Sequence, residues 1–188
     1  MNVTGTRSLT ADDVIEVAGR VVDEHGADAL TMRRLADELG VAVTSIYWHV
    51  GNRDELVDAL VDRLIADMGT LRPRGTTPRE RITSLARGLR KKLLDRPQLI
   101  ALAHERAKTS VMFKPVEEAI RRELDAMGLP PGEAALALTA LRTHVVTSVL
   151  LVRTIDRYGT VQEFDATEVF EFTLRAVLDA LEARAHHT

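Results

Sequence analysis

Apolar and polar positions repeat at helical spacing from near the start of this chain to near its end. Val14, Ile15, Ala18, Val21 and Val22 share one face of a first helix, which Thr10 opens with Asp13 three residues on and Gly26 closes. Thr31 caps a short second helix, Met32–Leu39, that Gly40 ends, and a third short segment follows over 43–49. Asn52 with Glu55 opens a fourth helix carrying Leu56, Leu60, Leu64 and Met68. Residues 69–77, rich in Gly, Pro and Thr, form a connector, after which Thr77, Pro78 and Glu80 begin another helix. Further helices are expected over 78–95, 97–106, 112–127, 132–157 and 165–184, the last opened by Asp165 with Glu168. Leu136, Leu138, Leu141, Val145, Val149 and Val152 place apolar groups on more than one face of the long helix, so burial on two sides is expected. Phe170, Thr173, Val177, Ala180 and Leu181 give the last helix its stripe. The fold class is all-α, about nine helices, with a small head and a larger body.

Composition supports that reading and removes several functions. Aromatic residues are only 4% of the 188, which disfavours a β-sandwich. Without cysteine there is no disulfide, thiolate nucleophile or Cys-type zinc site, which fits a cytoplasmic setting. The first 13 residues lack the apolar core of a signal peptide. The uncharged runs 134–141 and 143–152 are too short to span a bilayer and Arg142 separates them, so no membrane contact is expected. No phosphate-binding glycine loop, G-x-S-x-G or H-E-x-x-H occurs, and adjacent pairs such as Asp12–Asp13 and Glu117–Glu118 diverge on a helix, so no enzyme activity, metal or cofactor is expected.

Residues 31–49, TMRRLADELGVAVTSIYWH, carry the functional signal. Ala36, Gly40 and Ile46 fall at offsets 0, 4 and 10. Two helices crossing closely want a small residue at the contact, the turn wants one that tolerates positive φ, and the second helix needs an apolar lock onto the first. The opposite face is then free to enter a DNA major groove. A plain αα-hairpin has the same spacing, but Tyr47, Trp48 and His49 follow in a row and cannot all face one small core. Charge argues the other way: residues 1–50 hold four basic and eight acidic groups, a net of −4, and the whole chain carries −3. DNA binding must come from a few placed groups rather than bulk charge.

The run 40–60, GVAVTSIYWHVGNRDELVDAL, resembles the corresponding segment of the TetR family of transcriptional regulators, with likeness over residues 10–65 and, more weakly, 90–153. The resemblance implies a helix-turn-helix domain over 1–52, a connecting helix and linker over 53–77, and a ligand-binding and dimerisation domain over 78–188. It implies a homodimer that binds a palindromic double-stranded DNA operator and is released by a small-molecule effector, most simply as a repressor. Thr31 would meet a phosphate, Arg33 a base edge or phosphate, Thr44 and Ser45 the groove, and Tyr47, Trp48 and His49 phosphate, sugar and thymine methyls. Arg53 would clamp a phosphate, while Arg34 reads as a solvated charge. Ala42 and Val43 stand where such regulators often have a polar base reader, so readout leans on Arg33, Thr44 and Ser45. Effector candidates are the polar residues within apolar helices, His104, Arg142, Thr143, His144 and Thr147, with Met112 and Phe113 as walls; His104 and His144 lie near the family's ligand contacts. Helix 4 and the connector would transmit the change. Arg153, Asp156 and Arg157 read as an ion network, and His186 and His187 as tail rather than metal site. A small-molecule-binding module with vestigial DNA binding is the alternative, as is a regulator without ligand.

Overall fold

The computed structural model describes residues 8–158 and 165–185, with the side chains of Arg153, Thr154, Asp156, Arg157 and Tyr158 left aside. The expected network of Arg153, Asp156 and Arg157, and the histidines at 186 and 187, lie outside the described residues. Among the described residues nine α-helices follow in order: α1 (Ala11–His25), α2 (Met32–Leu39), α3 (Val43–Val50), α4 (Arg53–Met68), α5 (Pro78–Asp95), α6 (Pro97–Glu105), α7 (Thr109–Ala126), α8 (Pro131–Tyr158) and α9 (Ala166–Ala185). No strand occurs among the described residues.

The local signals set the boundaries. Thr10 and Asp13 form a reciprocal capping box, as do Asn52 with Glu55 and Thr77 with Glu80. Gly40 closes α2 in the left-handed region at φ 66, a conformation that costs a side-chain-bearing residue about 1–2 kcal/mol. Gly51, at φ 69, holds a backbone conformation that side-chain-bearing residues rarely adopt, and a Cβ there would also displace the Glu55 carboxylate from the Asn52 N–H. Two features escaped the sequence. A single 3-10 turn, Ala27–Ala29, precedes α2, and α7 starts at Thr109 and runs through Pro115. The proline removes one helical bond, that to the carbonyl of Val111, which is itself exposed.

The chain forms two compact units. The first runs to Ala66 and includes Arg96–Met112. In it α1 packs against α2, α3 and α6, and Val14, Ala18, Leu35, Ile46, Leu56 and Val61 are all buried to 1% exposure or less. The second comprises residues 67–95 and 113–188, where α8 packs against α5 and α9 over a core including Ile82, Leu85, Leu89, Leu141, Val145 and Phe170.

Three expectations about the body change. Leu138, Leu141, Val145 and Val149 of α8 are buried, but Leu136 is 62% exposed and Leu150 58%, so within this chain the helix is covered on one side only. On α9 the buried line is Phe170, Leu174, Leu178 and Leu181; Thr173 and Val177 flank it and Ala180 is exposed. The helix is apolar on two faces, and only its partners choose between them. By length and composition Pro131–Val152 suffices to cross a membrane, against the expectation drawn from uncharged runs. Its contacts with α5 and α9 make it the central helix of the second unit.

Candidate nucleic-acid interface and effector cleft

The short helix α3 is held by one residue. Ile46 is fully buried, while its neighbours Tyr47 and Trp48 are 49% and 89% exposed, and Thr44 and His49 are exposed as well. Ser45 is half-buried and its N–H donates to the Ala42 carbonyl. No side chain caps the N-terminus of α3. An 89%-exposed tryptophan on an ordered helix is an unsatisfied surface, of the kind that marks a contact. Thr31 caps α2 by accepting from the Arg34 N–H at 3.1 Å, and Arg33 beside it is exposed. Arg34 pairs with Glu38 at 3.0 Å, in keeping with a solvated i,i+4 charge. The helix-turn-helix therefore presents Thr31, Arg33, Thr44, Tyr47, Trp48 and His49 to solvent.

Arg53 does something the sequence did not reveal. Its Nε donates to the Leu30 carbonyl at 3.0 Å and its Nη2 to the Ala27 carbonyl at 3.0 Å, tying the start of α4 to the turn before α2. Both groups are thereby committed within the fold, where a phosphate clamp had been expected. Arg53→Ala is expected to cost about 1–3 kcal/mol in urea unfolding, the range for hydrogen bonds from a charged donor. A loss below about 0.5 kcal/mol would show the two bonds to be incidental.

Also unforeseen is a ladder along α4. Asp54, Asp58 and Asp62 recur every four residues, hence on one face. Arg106 bonds Asp54 at 2.6 Å and lies 3.7 Å from Asp58; Lys108 bonds Asp62 at 2.8 Å and also lies 3.7 Å from Asp58. Between the two cations Ala107 takes φ 55, the one positive φ of a non-glycine residue among those described. Two cations flanking one turn thus grip three successive turns of the helix that leaves the recognition unit. The i,i+4 acids were visible in sequence; their partners, over 40 residues on, were not.

The second unit contains a narrow apolar cleft between α5, α7 and α8, lined by Ala86, Leu89, Phe113, Ile120, Leu141 and Arg142 among others. Its free volume is about 10 Å³, scarcely room for one water. At its side Arg142 pairs with Glu117 at 2.9 Å. Of the seven effector candidates, only Phe113 and Arg142 line this cleft. Thr143 and Thr147 are exposed on the side of α8 that carries Leu136 and Leu150. His104, exposed with Nδ1 3.3 Å from the Thr109 hydroxyl, and fully buried Met112 belong to the first unit.

His144 points to α9. Its Nε2 donates to the Phe170 carbonyl at 3.0 Å, and its ring stacks on Phe170 with centroids 4.8 Å apart and planes 6° from parallel. The guanidinium of Arg90, on α5, lies 4.8 Å from the same ring. Arg90 was not singled out, although a charge on the stripe of Ile82, Ala86, Leu89 and Leu93 was a signal. Burial first, and then the Arg90 charge, push the His144 pKa below its ordinary value of 6.5, against the opposing hydrogen bond to Phe170. The native state therefore binds fewer protons at this ring than the unfolded chain. The stabilisation is complete above about pH 6.5 and is lost as pH falls below it, through the interval down to the folded pKa. His144→Phe is expected to flatten the fall in Tm between about pH 6.5 and 5; an unchanged profile would remove His144 as its source.

Two family models match this chain. Residues 14–60 match that of the bacterial regulatory proteins of the TetR family, and residues 72–157 the tetracyclin repressor-like C-terminal domain. The class A tetracycline repressor of Escherichia coli is 31% identical over 181 residues, which are 93% of this chain and 82% of that protein. ActR of Streptomyces coelicolor in complex with actinorhodin superposes with a TM-score of 0.66 at 26% identity, covering 95% of this chain and 99% of that one. BioQ bound to its double-stranded DNA operator gives 0.65 at 27%, with 94% and 99% covered. The chain spans only about 60% of the length of the helix-turn-helix-type regulator of Saccharopolyspora erythraea, to which it is 31% identical over 75% of its own length. A helix-turn-helix whose lock is Ile46 and whose outer face is Tyr47-Trp48-His49, joined to an all-helical body and matched along nearly its whole length by a tetracycline repressor, makes this chain a member of the TetR family of bacterial regulatory proteins.

Proposed function

We propose that the chain is a cytoplasmic, ligand-responsive transcriptional repressor, without catalytic activity, that grips a palindromic operator as a homodimer and lets go when a small molecule binds its body. Residues 1–52 serve as DNA-reading domain, 53–77 as connecting helix and linker, and 78–188 as effector and dimerisation domain. The observation that carries this reading is the division of α3 into a fully buried Ile46 and an 89%-exposed Trp48. A complex of BioQ with its DNA operator and a complex of ActR with actinorhodin, both resembling this chain along its length, support the two halves of the proposal.

Dimerisation has its own support. Leu136 and Leu150 on α8, with Val169 and Phe172 (73% exposed) on α9, leave two long helices with uncovered apolar side chains. Two such helices from each of two chains make a four-helix bundle. The dimer then places two recognition helices about one turn of DNA apart.

Fluorescence anisotropy with a labelled duplex from the gene's own upstream region, against a scrambled duplex, tests the reading. Two protomers are expected per specific site. Arg33→Ala and Trp48→Ala are each expected to weaken that binding by about 5–150-fold, or 1–3 kcal/mol per lost contact. The net charge of −4 over residues 1–50 favours a second reading, an effector-binding module whose head no longer reads DNA. Equal, weak binding to both duplexes, and no enriched sequence in a selection from random duplexes, would establish that reading and sink the first.

A further inference from the structure

The first compact unit is built from two stretches of chain, one running to Ala66 and the other Arg96–Met112. Their charges are opposite in sign. Residues 1–50 carry a net of −4, and α4 adds five acids against two bases. The later stretch holds Arg96, Arg106 and Lys108 against Glu105 alone. Each of those three cations faces an acid of the earlier stretch: Arg96 stands 3.9 Å from Asp23, Arg106 meets Asp54 and Asp58, and Lys108 meets Asp58 and Asp62.

The turn between α6 and α7 aims two of them. The Ala107 N–H donates to the His104 carbonyl and the Lys108 N–H to that of Ala103, both at 2.9 Å. Glycine usually fills the left-handed position of such a helix ending, and here Ala107 takes it at φ 55. A conformation that disfavours alanine persists where the surrounding structure holds it.

Asp54 is the carboxylate that bears on DNA. It is exposed and follows Arg53, whose bonds to the Leu30 and Ala27 carbonyls fix the start of α4 against the turn leading into Thr31 and Arg33. It also follows His49 of α3 by five residues, so their backbones are at most about 18 Å apart. Salt screens charges over about 8 Å at physiological ionic strength, but only over about 30 Å at 0.01 M. A bare carboxylate at this position would oppose the phosphates of any duplex that α3 enters, most strongly at low salt. Arg106 bonds it at 2.6 Å and cancels that charge.

We propose that Arg106 determines operator affinity without touching DNA, by neutralising Asp54 at the start of α4 so that the duplex can seat on α2 and α3. Lys108 does the same for Asp62 at longer range. This role rests on the DNA reading proposed above. The acidic balance of the first 50 residues then omits the cations that the fold returns to them from far along the chain.

Anisotropy with the specific duplex, at about 50 mM and about 200 mM salt, tests it on the full chain. The variants are Arg106→Gln, Asp54→Asn, the two combined, and Arg121→Gln as a control on an exposed cation of α7. Arg106→Gln is expected to weaken binding about three- to tenfold at the lower salt and less at the higher. Adding Asp54→Asn is expected to restore it, and the control to match wild type. Unchanged binding by Arg106→Gln overturns the role, as does an equal loss in the control, which would make the effect one of bulk charge. A loss that Asp54→Asn does not restore also overturns it, because Arg106 would then be a structural tie for α4. Should Arg106→Gln fail to fold, Asp54→Asn alone decides, since it leaves Arg106 in surplus and is expected to tighten binding at low salt; no tightening overturns the role. A wild type that binds no duplex, even one selected from random sequences, removes the DNA reading itself, whereas the other outcomes remove only the part given to Arg106.

Discussion

Phe172→Asp is expected to split the dimer and weaken operator binding by about 10²–10⁴-fold, the gain that linking two binding modules provides. Phe172 is 73% exposed, so the single chain makes little use of it and the variant should fold. A bundle of α8 and α9 with their mates would bury this large aromatic, and buried aromatics are among the residues whose truncation costs an interface most. An aspartate adds a desolvated charge to the lost burial. Sedimentation of the variant beside wild type, with anisotropy on the same samples, checks both halves. A variant that stays dimeric moves the interface off this face. One that becomes monomeric yet binds operator with wild-type affinity would break the proposed link between dimerisation and DNA reading.

Ile46→Ala is the second large effect. Ile46 is the sole buried residue of the eight in α3, and nothing else of that helix reaches the core to the same degree. Removing a buried isoleucine down to alanine costs about 2–5 kcal/mol, a substantial part of the 5–15 kcal/mol that holds a typical domain together. Here the loss falls on the segment that must present Thr44, Tyr47 and Trp48, so operator binding is expected to fail before the body unfolds. Hydrogen exchange should show α3 amides losing protection while those of α8 and α9 keep theirs. Equal loss in all three, or loss in none, contradicts a helix held by one anchor.

What could be foreseen depended on how far the causes lie along the chain. The caps of α1, α2, α4, α5 and α9 are made by residues two or three positions apart, and all were legible. Gly40 and Ile46 were equally so, because a tight turn and one apolar lock leave little choice of residue. Arg53 was not, since its acceptors are backbone carbonyls 23 and 26 residues earlier, to which no side-chain pattern points. The effector candidates failed to converge for a similar reason. Polar residues inside apolar helices mark tolerance of polarity, not direction, and those chosen divide between two units and both sides of α8. On α9 two apolar faces competed, and only α5 and α8 decided that Leu174 rather than Thr173 turns inward.

The closed state of the α5–α7–α8 cleft bears on timing as well as space. With about 10 Å³ free, no organic molecule can enter until α5, α7 and α8 stand apart. A ligand that meets only the parted form has its apparent affinity scaled down by the fraction of molecules so parted. Its observed association rate will rise with concentration and then level off at the rate of parting, on the microsecond-to-millisecond scale of helix displacements. For any effector that were to bind in this cleft, response speed would be a property of the protein's own breathing.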